Sequence, residues 1–394
     1  MAERSFDVVL FGATGFTGGL TADYLARHVP AGARWALAGR NRAKLAAARD
    51  RLAESDPSLA DLPLLEADAE RPDSVRAVAA DARVVITTVG PYVRHGEPLV
   101  AACADTGTDY VDLAGEPEFL NTTYVRHHAR ATETGARIVH ACGFDSVPHD
   151  LGAYFTVQQL PADVPLRVSG YVRASAMISG GTFSSAVTAF SRGRENLASA
   201  RARKAAEPLG SSRRTRYVPG RPHRLPVDSG WALPMPTIDG PLVARSARAL
   251  ERYGPDFAYS HFVAVPKAWQ AAGIVAGVGG LFVAAQVPPA RRALLKRLPA
   301  GEGPSEQKRA DSWFTVTFVG SAAGDSGQRV VTRVSGGDPG YGETAKMLAE
   351  SALCLAFDEL PSTSGQVTTA AAMGDALLDR LQRGGIRFEV LSRE

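Results

Sequence analysis

Three glycines spaced three apart, Gly12, Gly15 and Gly18, close a short apolar run from Phe6 to Phe11. A helical pattern follows at once (Leu20, Tyr24, Leu25) and stops at His28-Val29-Pro30, so the stretch reads as strand, turn and helix start. The first turn of a helix gathers unpaired N–H groups and the positive end of the dipole, which is where phosphate binds. The chemistry predicted here is dinucleotide binding. Gly12 allows the sharp turn, Gly15 the approach of the diphosphate, and Gly18 close packing of helix on strand. Phe16 lies within the same grip, and Thr14 and Thr17 add hydroxyl donors. The spacing is G-x-x-G-x-x-G rather than the commoner G-x-G-x-x-G, so an ordinary glycine-rich turn is the competing reading. Against it, a second strand, Trp35 to Ala38, follows where a βαβ unit demands one, and it leads into Gly39-Arg40-Asn41. An acidic residue there would hold the ribose 2′-hydroxyl of NAD. Arg40 instead can fork onto a 2′-phosphate, so NADP is the expected cofactor, with Asn41 beside it. Arg42 and Lys44 read as the solvated face of the next helix.

Other candidate residues fall at the ends of later strands, where ligands sit in open α/β sheets. Asp68 ends a third strand and is placed to hold an adenine amino group. The fourth strand, Arg83 to Val89, runs into Gly90-Pro91-Tyr92, which puts Gly90 and Pro91 against the cofactor. Tyr92 is the first candidate proton donor, with His95 in the same loop. Asp145, in Cys142-Gly143-Phe144-Asp145-Ser146, is the second, and needs a raised pKa to stay protonated. No metal site is expected, because His140 and Cys142 have no further ligands at suitable spacing.

These residues require an α/β fold. Strands and helices alternate over residues 1–152, predicting an N-terminal Rossmann-type, doubly wound parallel sheet. From Leu166 the pattern changes to a period near two, in Leu166–Ala174, Trp313–Val319 and Arg329–Val334. A second mixed α/β domain with a largely antiparallel sheet is therefore predicted over 153–340, with a hairpin turn at Gly324–Gly327. Ser179–Ser185 is small and polar, either an anion-binding helix start or a helix cap at a domain contact. Residues 188–224 carry ten Lys or Arg against two Glu and read as a basic loop, followed by a Pro/Gly-rich excursion to Pro241. Residues 268–290 contain no charged side chain, between Lys267 and Arg291. That stretch nearly matches the roughly 20 residues of a membrane span, yet its four glycines in Gly273–Gly280 make it only moderately apolar. It reads as an element touching a membrane or walling a lipid substrate, or else as a buried or subunit-interface helix. The basic residues nearby would favour an anionic membrane surface. Residues 341–394 return to helices and a final strand, Ile386 to Val390, expected to pack back between the domains.

Composition sets the outer limits. The 394 residues suffice for two domains, and 45% hydrophobic with 22% charged residues describes a globular chain. A net charge of +3 gives no global field for nucleic acid, so no nucleic-acid partner is expected. Cys103, Cys142 and Cys354 are too few and scattered for a disulfide framework and fit a reducing cytoplasm. Met1 to Phe6 runs straight into the first strand, so no signal peptide is expected.

Several strings resemble one family. GATGFTG at Gly12–Gly18, AGRN at Ala38–Asn41, VGPY at Val89–Tyr92, YVDLAGE at Tyr110–Glu116 and CGFDSVPHDLG at Cys142–Gly152 are similar to saccharopine dehydrogenase-like oxidoreductases. SGGT at Ser179–Thr182 and the Tyr341–Leu353 helix fit as well. The chain most resembles the branch of actinobacterial trans-acting enoyl reductases, which also contains the animal saccharopine dehydrogenase-like protein. The resemblance implies a Rossmann domain binding NADPH and reduction of a carbon–carbon double bond on a polyketide-derived lipid chain. It implies as partner a polyketide synthase lacking that activity, and it carries over no catalytic residue. Two other functions stay open: reduction of an amino-acid imine, with Arg173 or the 188–224 cluster binding carboxylates, and a non-catalytic nucleotide-binding protein on a lipid surface. A homo-oligomer is expected, in the cytoplasm or at the inner face of the plasma membrane.

Overall fold

The computed structural model describes residues 4–175, 180–208, 213–297, 303–323 and 327–394. Six strands in the first part are β1 (Phe6–Phe11), β2 (Trp35–Gly39), β3 (Leu64–Glu66), β4 (Ala82–Thr87), β5 (Asp109–Val111) and β6 (Arg137–Val139). The second part holds β7 (Leu166–Ala174), β8 (Arg214–Tyr217), β9 (His223–Arg224), β10 (Trp231–Pro234), β11 (Asp256–Val265), β12 (Phe314–Ala322) and β13 (Arg329–Gly336). Near the C-terminus come β14 (Gly365–Val367) and β15 (Arg387–Arg393).

The first sheet runs β14-β6-β5-β4-β1-β2-β3, with every pairing parallel. The order reverses beside β1, which is the switch point where such sheets bind ligands. Val8, Val9, Leu10, Val84, Val85 and Ile86 are fully buried, as strands covered on both faces must be. The second sheet runs β15-β13-β12-β7-β11-β10-β9, with β8 also on β11. Its pairings are antiparallel except β11 with β7 and with β8. Thus the predicted α/β fold, a parallel Rossmann-type sheet plus a largely antiparallel one, is the fold observed.

One helix joins the two sheets. Val147–Val157 begins in the loop after β6 and lies against the second sheet. A Cβ at Gly152 would sit 2.3 Å from the Phe318 ring of β12, so only glycine permits this approach. The buried Asp150 carboxylate accepts from Thr369 Oγ1 at 2.7 Å and from Ala370 N at 2.9 Å, fixing the start of the Thr369–Arg383 helix. Glu350, on the Gly342–Phe357 helix, accepts from Tyr24 Oη at 2.7 Å and from Arg380 at 3.0 Å. The C-terminal segment therefore ties both sheets together: β14 extends the first and β15 the second.

Two expectations change. Residues 188–224 are not a basic loop but include the Gly193–Ala206 helix, β8 and β9. Among the described residues, Arg192 pairs with Glu118, Arg203 with Glu207, and Arg216 with Asp256. The excursion to Pro241 contains β10, which pairs with β9 and β11. The partners of Arg192 and Arg216 lie 74 and 40 residues away in sequence, which local charge counting does not detect. Ser179 and residues 324–326 lie outside the described residues.

Ala268–Gln286 is a 19-residue helix, and among the described residues it is the one helix long and apolar enough to cross a membrane. Only 11% of its most apolar window is buried. Trp269, Val275 and Val283 are more than 60% exposed, an arrangement a core helix does not show. It packs along the Gly180–Ser191 helix, where Phe190 and Phe282 meet edge to face and Gln286 Nε2 donates to the Phe190 carbonyl at 2.7 Å.

Candidate active site

A single large cleft of about 2370 Å³ runs from the first βα turn to the Ala268–Gln286 helix. At one end, Gly12 holds a left-handed φ of +96°, and a Cβ at Gly18 would lie 2.1 Å from the Gly12 carbonyl oxygen. The turn is therefore closed to side chains at both positions. Gly15 is the N-cap of the Phe16–His28 helix, and its own N–H donates to Gly12 O at 3.1 Å. The N–H groups aimed at a ligand are thus those of Phe16, Thr17 and Gly18, in the first helical turn, where no intrahelical acceptor exists. Gly12, Thr14, Gly15, Phe16, Thr17, Gly18, Arg40, Asp68, Gly90 and Pro91 all line the cleft. This cradle, with an exposed guanidinium at its rim, fits a phosphorylated dinucleotide. Asn41 is the exception. Its Oδ1 caps the next helix by accepting from Lys44 N at 2.9 Å, and it does not line the cleft.

Arg40→Ala is expected to weaken NADPH binding by about 10- to 100-fold, since a charged hydrogen bond contributes roughly 1.5–3 kcal/mol. NADH binding should stay nearly the same. Fluorescence titration of both cofactors checks this, and equal losses would remove the role from Arg40.

The two candidate donors part company. Tyr92 lines the cleft, but its hydroxyl donates to Thr87 O at 3.0 Å and accepts from Leu113 N at 3.2 Å. Burial raises its pKa well above the ordinary phenol value. Its hydroxyl holds two strand ends together and is a poor proton source, which corrects the expectation that Tyr92 leads. Asp145 also lines the cleft, and burial pushes its carboxyl up to about 6. About half of it is therefore protonated at pH 6 and about a tenth at pH 7, far more than for an ordinary aspartate.

The loop carrying Asp145 is set by Asp112, a residue the sequence reading did not single out. The Asp112 carboxylate is fully buried and accepts from Tyr110 Oη (2.8 Å), His140 Nδ1 (2.7 Å), Ala114 N (3.0 Å) and Ala141 N (2.8 Å). Ala141 sits at φ +59°, a conformation costly for a residue with a Cβ. The bond to its N–H helps hold that turn, from which Gly143, Phe144 and Asp145 enter the cleft. YVDLAGE was the available signal: a lone Asp between an apolar strand and a small-residue turn.

A second group was also missed. His149 and Asp239 line the cleft, with His261 of β11 behind them, and all three are at most 2% exposed. Burial lowers both imidazoles, that of His261 to about 3, and raises Asp239 well above the usual carboxylate range. Both histidines are therefore neutral at physiological pH. Lining the far end of the cleft are Trp269, Ile274, Val278 and Phe282 of the long apolar helix.

Residues 8–139 match the family described as the saccharopine dehydrogenase NADP binding domain. The chain is 40% identical to a Mycobacterium tuberculosis (strain H37Rv) protein provisionally named a trans-acting enoyl reductase, covering 98% of this chain and 97% of that one. It is 37% identical, at the same coverage, to the trans-acting enoyl reductase of Mycobacterium leprae. Among solved structures, apo saccharopine dehydrogenase (L-Glu forming) from Saccharomyces cerevisiae has the same fold. Its TM-score is 0.57 at 12% identity, over 98% of this chain and 99% of that one.

Proposed function

The chain belongs to the saccharopine dehydrogenase-like family, in its trans-acting enoyl reductase branch, and is an NADP-dependent oxidoreductase; from that premise we propose that it reduces the carbon–carbon double bond of a lipid or polyketide-derived enoyl thioester. The observation that carries this reading is the cleft itself. At about 2370 Å³ it exceeds the roughly 300–1,000 Å³ of ordinary small-molecule pockets, and its remote wall is an apolar helix. A dinucleotide fills the glycine-turn end, and a long acyl chain suits the other.

NADPH supplies a hydride to the β-carbon when bound. The chain's part is placement and proton supply. Phe16, Thr17 and Gly18 N–H groups grip the diphosphate and Arg40 takes the 2′-phosphate. The Asp145 carboxyl gives its proton to the α-carbon, where the electron pair of the former double bond collects. Apolar side chains of the Ala268–Gln286 helix exclude water along the acyl chain.

The exposed outer face of that helix supports the further reading of peripheral contact with the inner leaflet of the membrane, where a polyketide synthase would deliver the substrate. Lys267 and Arg291 flank it, as an anionic surface favours. The whole protein should float with anionic vesicles, and Val275→Asp with Val283→Asp should cut the bound fraction about tenfold or more. If the wild type stays in the soluble fraction and sediments as a dimer, the face joins two copies instead.

Steady oxidation of NADPH by an enoyl thioester, with the saturated thioester found by mass spectrometry, tests the reaction. Oxidation seen only with amino-acid imines would favour the saccharopine-type reading. That reading has weaker support, because Arg173 pairs with Asp228 at 3.4 Å and Arg192, Arg203 and Arg216 of the basic cluster are held in ion pairs. No oxidation with either substrate leaves a nucleotide-binding protein without catalysis.

A further inference from the structure

The His149–Asp239–His261 group is poorly explained as packing. His149 Nε2 lies 3.8 Å from Asp239 Oδ1, and His261 Nε2 lies 3.6 Å from Asp239 Oδ2. Both distances are beyond hydrogen-bond range. Asp239 Oδ1 and His261 Nε2 are buried with no hydrogen-bond partner among the described residues. Leaving such groups unpaired costs roughly 1–3 kcal/mol each, so a fold seldom keeps two facing one another without something between them.

The geometry points to a bound divalent transition metal, and we propose that His149, Asp239 and His261 are its three protein ligands, in a zinc-type site whose fourth position opens on the cleft. One ligand atom from each residue lies within 4.8 Å of the others. Tetrahedral zinc, with bonds of about 2.0–2.2 Å, sets its ligand atoms roughly 3.3–3.5 Å apart, so small side-chain movements close the site. Two imidazoles and a carboxylate form a three-ligand set of the kind that leaves room for water or substrate. The second shell is present too. Tyr259 Oη lies 2.9 Å from His261 Nδ1, which orients the ring so that Nε2 faces inward, and the Thr237 hydroxyl donates to Asp239 Oδ2. His149 and Asp239 reach the cleft wall and His261 does not, so the free coordination position faces the cleft. A cation there would polarise the thioester carbonyl and stabilise the enolate oxygen formed as hydride reaches the β-carbon. That role rests on the proposed reductase activity; the metal site itself does not.

The test uses the full chain, purified without a polyhistidine tag and stripped with chelator. Titration with Zn²⁺, read by elemental analysis after dialysis, should return about one equivalent per chain. Co²⁺ should give the visible d–d absorption of a low-symmetry four-coordinate site. Tyr259→Phe should weaken Zn²⁺ binding by about 10- to 100-fold. His261→Ala and Asp239→Asn should abolish it, with circular dichroism and NADPH titration confirming the fold. Wild-type protein that retains no stoichiometric metal overturns the proposal without recourse to any variant. So does undiminished binding in the folded Asp239→Asn variant. Bound metal without enoyl thioester reduction refutes the reductase reading and leaves the site standing. Reduction without bound metal does the reverse.

Discussion

Asp145→Asn is expected to lower kcat for enoyl thioester reduction by about 10²- to 10⁴-fold, the usual contribution of a positioned acid. NADPH affinity should change little, because the residue is not one of those assigned to the cofactor's phosphates. The amide has similar size and polarity, but it cannot release a proton at accessible pH. The carboxyl is reactive when protonated, and burial sets its pKa at about 6. The wild-type rate should therefore fall as pH rises through that value, by about tenfold per unit, and the limb should vanish in the variant. A cation in the neighbouring triad would draw the limb to lower pH, so the profile is best read with and without chelator. Tyr92→Phe is the control. It loses two structural hydrogen bonds, so it should lower stability by about 1–3 kcal/mol while kcat holds within a few-fold. A larger kcat loss in Tyr92→Phe than in Asp145→Asn would reverse the assignment.

Asp112→Ala is expected to destabilise the protein by about 3–5 kcal/mol, the range for removing one member of a buried hydrogen-bonded pair. The substitution orphans the His140 ring, the Tyr110 hydroxyl and two backbone N–H groups in a place water does not reach. It also releases Ala141 from its left-handed conformation, so the Asp145 loop should loosen before the sheets unfold. Urea denaturation reads the first effect, and hydrogen exchange over residues 140–146 the second. Asp112→Asn should cost less, since its carbonyl oxygen can still accept from Ala114 and Ala141. If alanine and asparagine behave alike, the carboxylate is not what holds the loop.

The glycine turn was legible because its glycines and the helix they open are contiguous in sequence. Gly12, Gly15 and Gly18 fall within seven residues, and the steric demand at Gly18 comes first from the Gly12 carbonyl; the demand at Gly12, from Thr88 and Val89, was not local. Arg40 was legible for a similar reason, since the βαβ unit fixes the position after the second strand. The alternating strands of the second sheet announced themselves by period, although β14 joining the first sheet from position 365 did not. Three residues each make a parallel-strand partner of β6 there, too short a run for pattern to register. The metal-type triad was invisible. His149 stands at a helix start, Asp239 begins another helix 90 residues on, and His261 lies mid-strand among apolar neighbours. No spacing rule connects them, and the convergence is a product of the Val147–Val157 helix lying against the second sheet. Asn41 failed in the opposite sense: the string AGRN was read as one ligand set, but the local need of a helix for an N-cap took the asparagine first.

The Ala268–Gln286 helix is greasy on two sides, one turned to the cleft and one to the surroundings. Under the proposed membrane contact, a catalyst walled in this way would draw its acyl chain sideways out of a film rather than out of bulk water. Its turnover would then follow how crowded the substrate is within that film, so adding inert lipid at constant total substrate should slow the reaction. Short, freely dissolved analogues would escape that dilution and report only on the chemistry behind the wall.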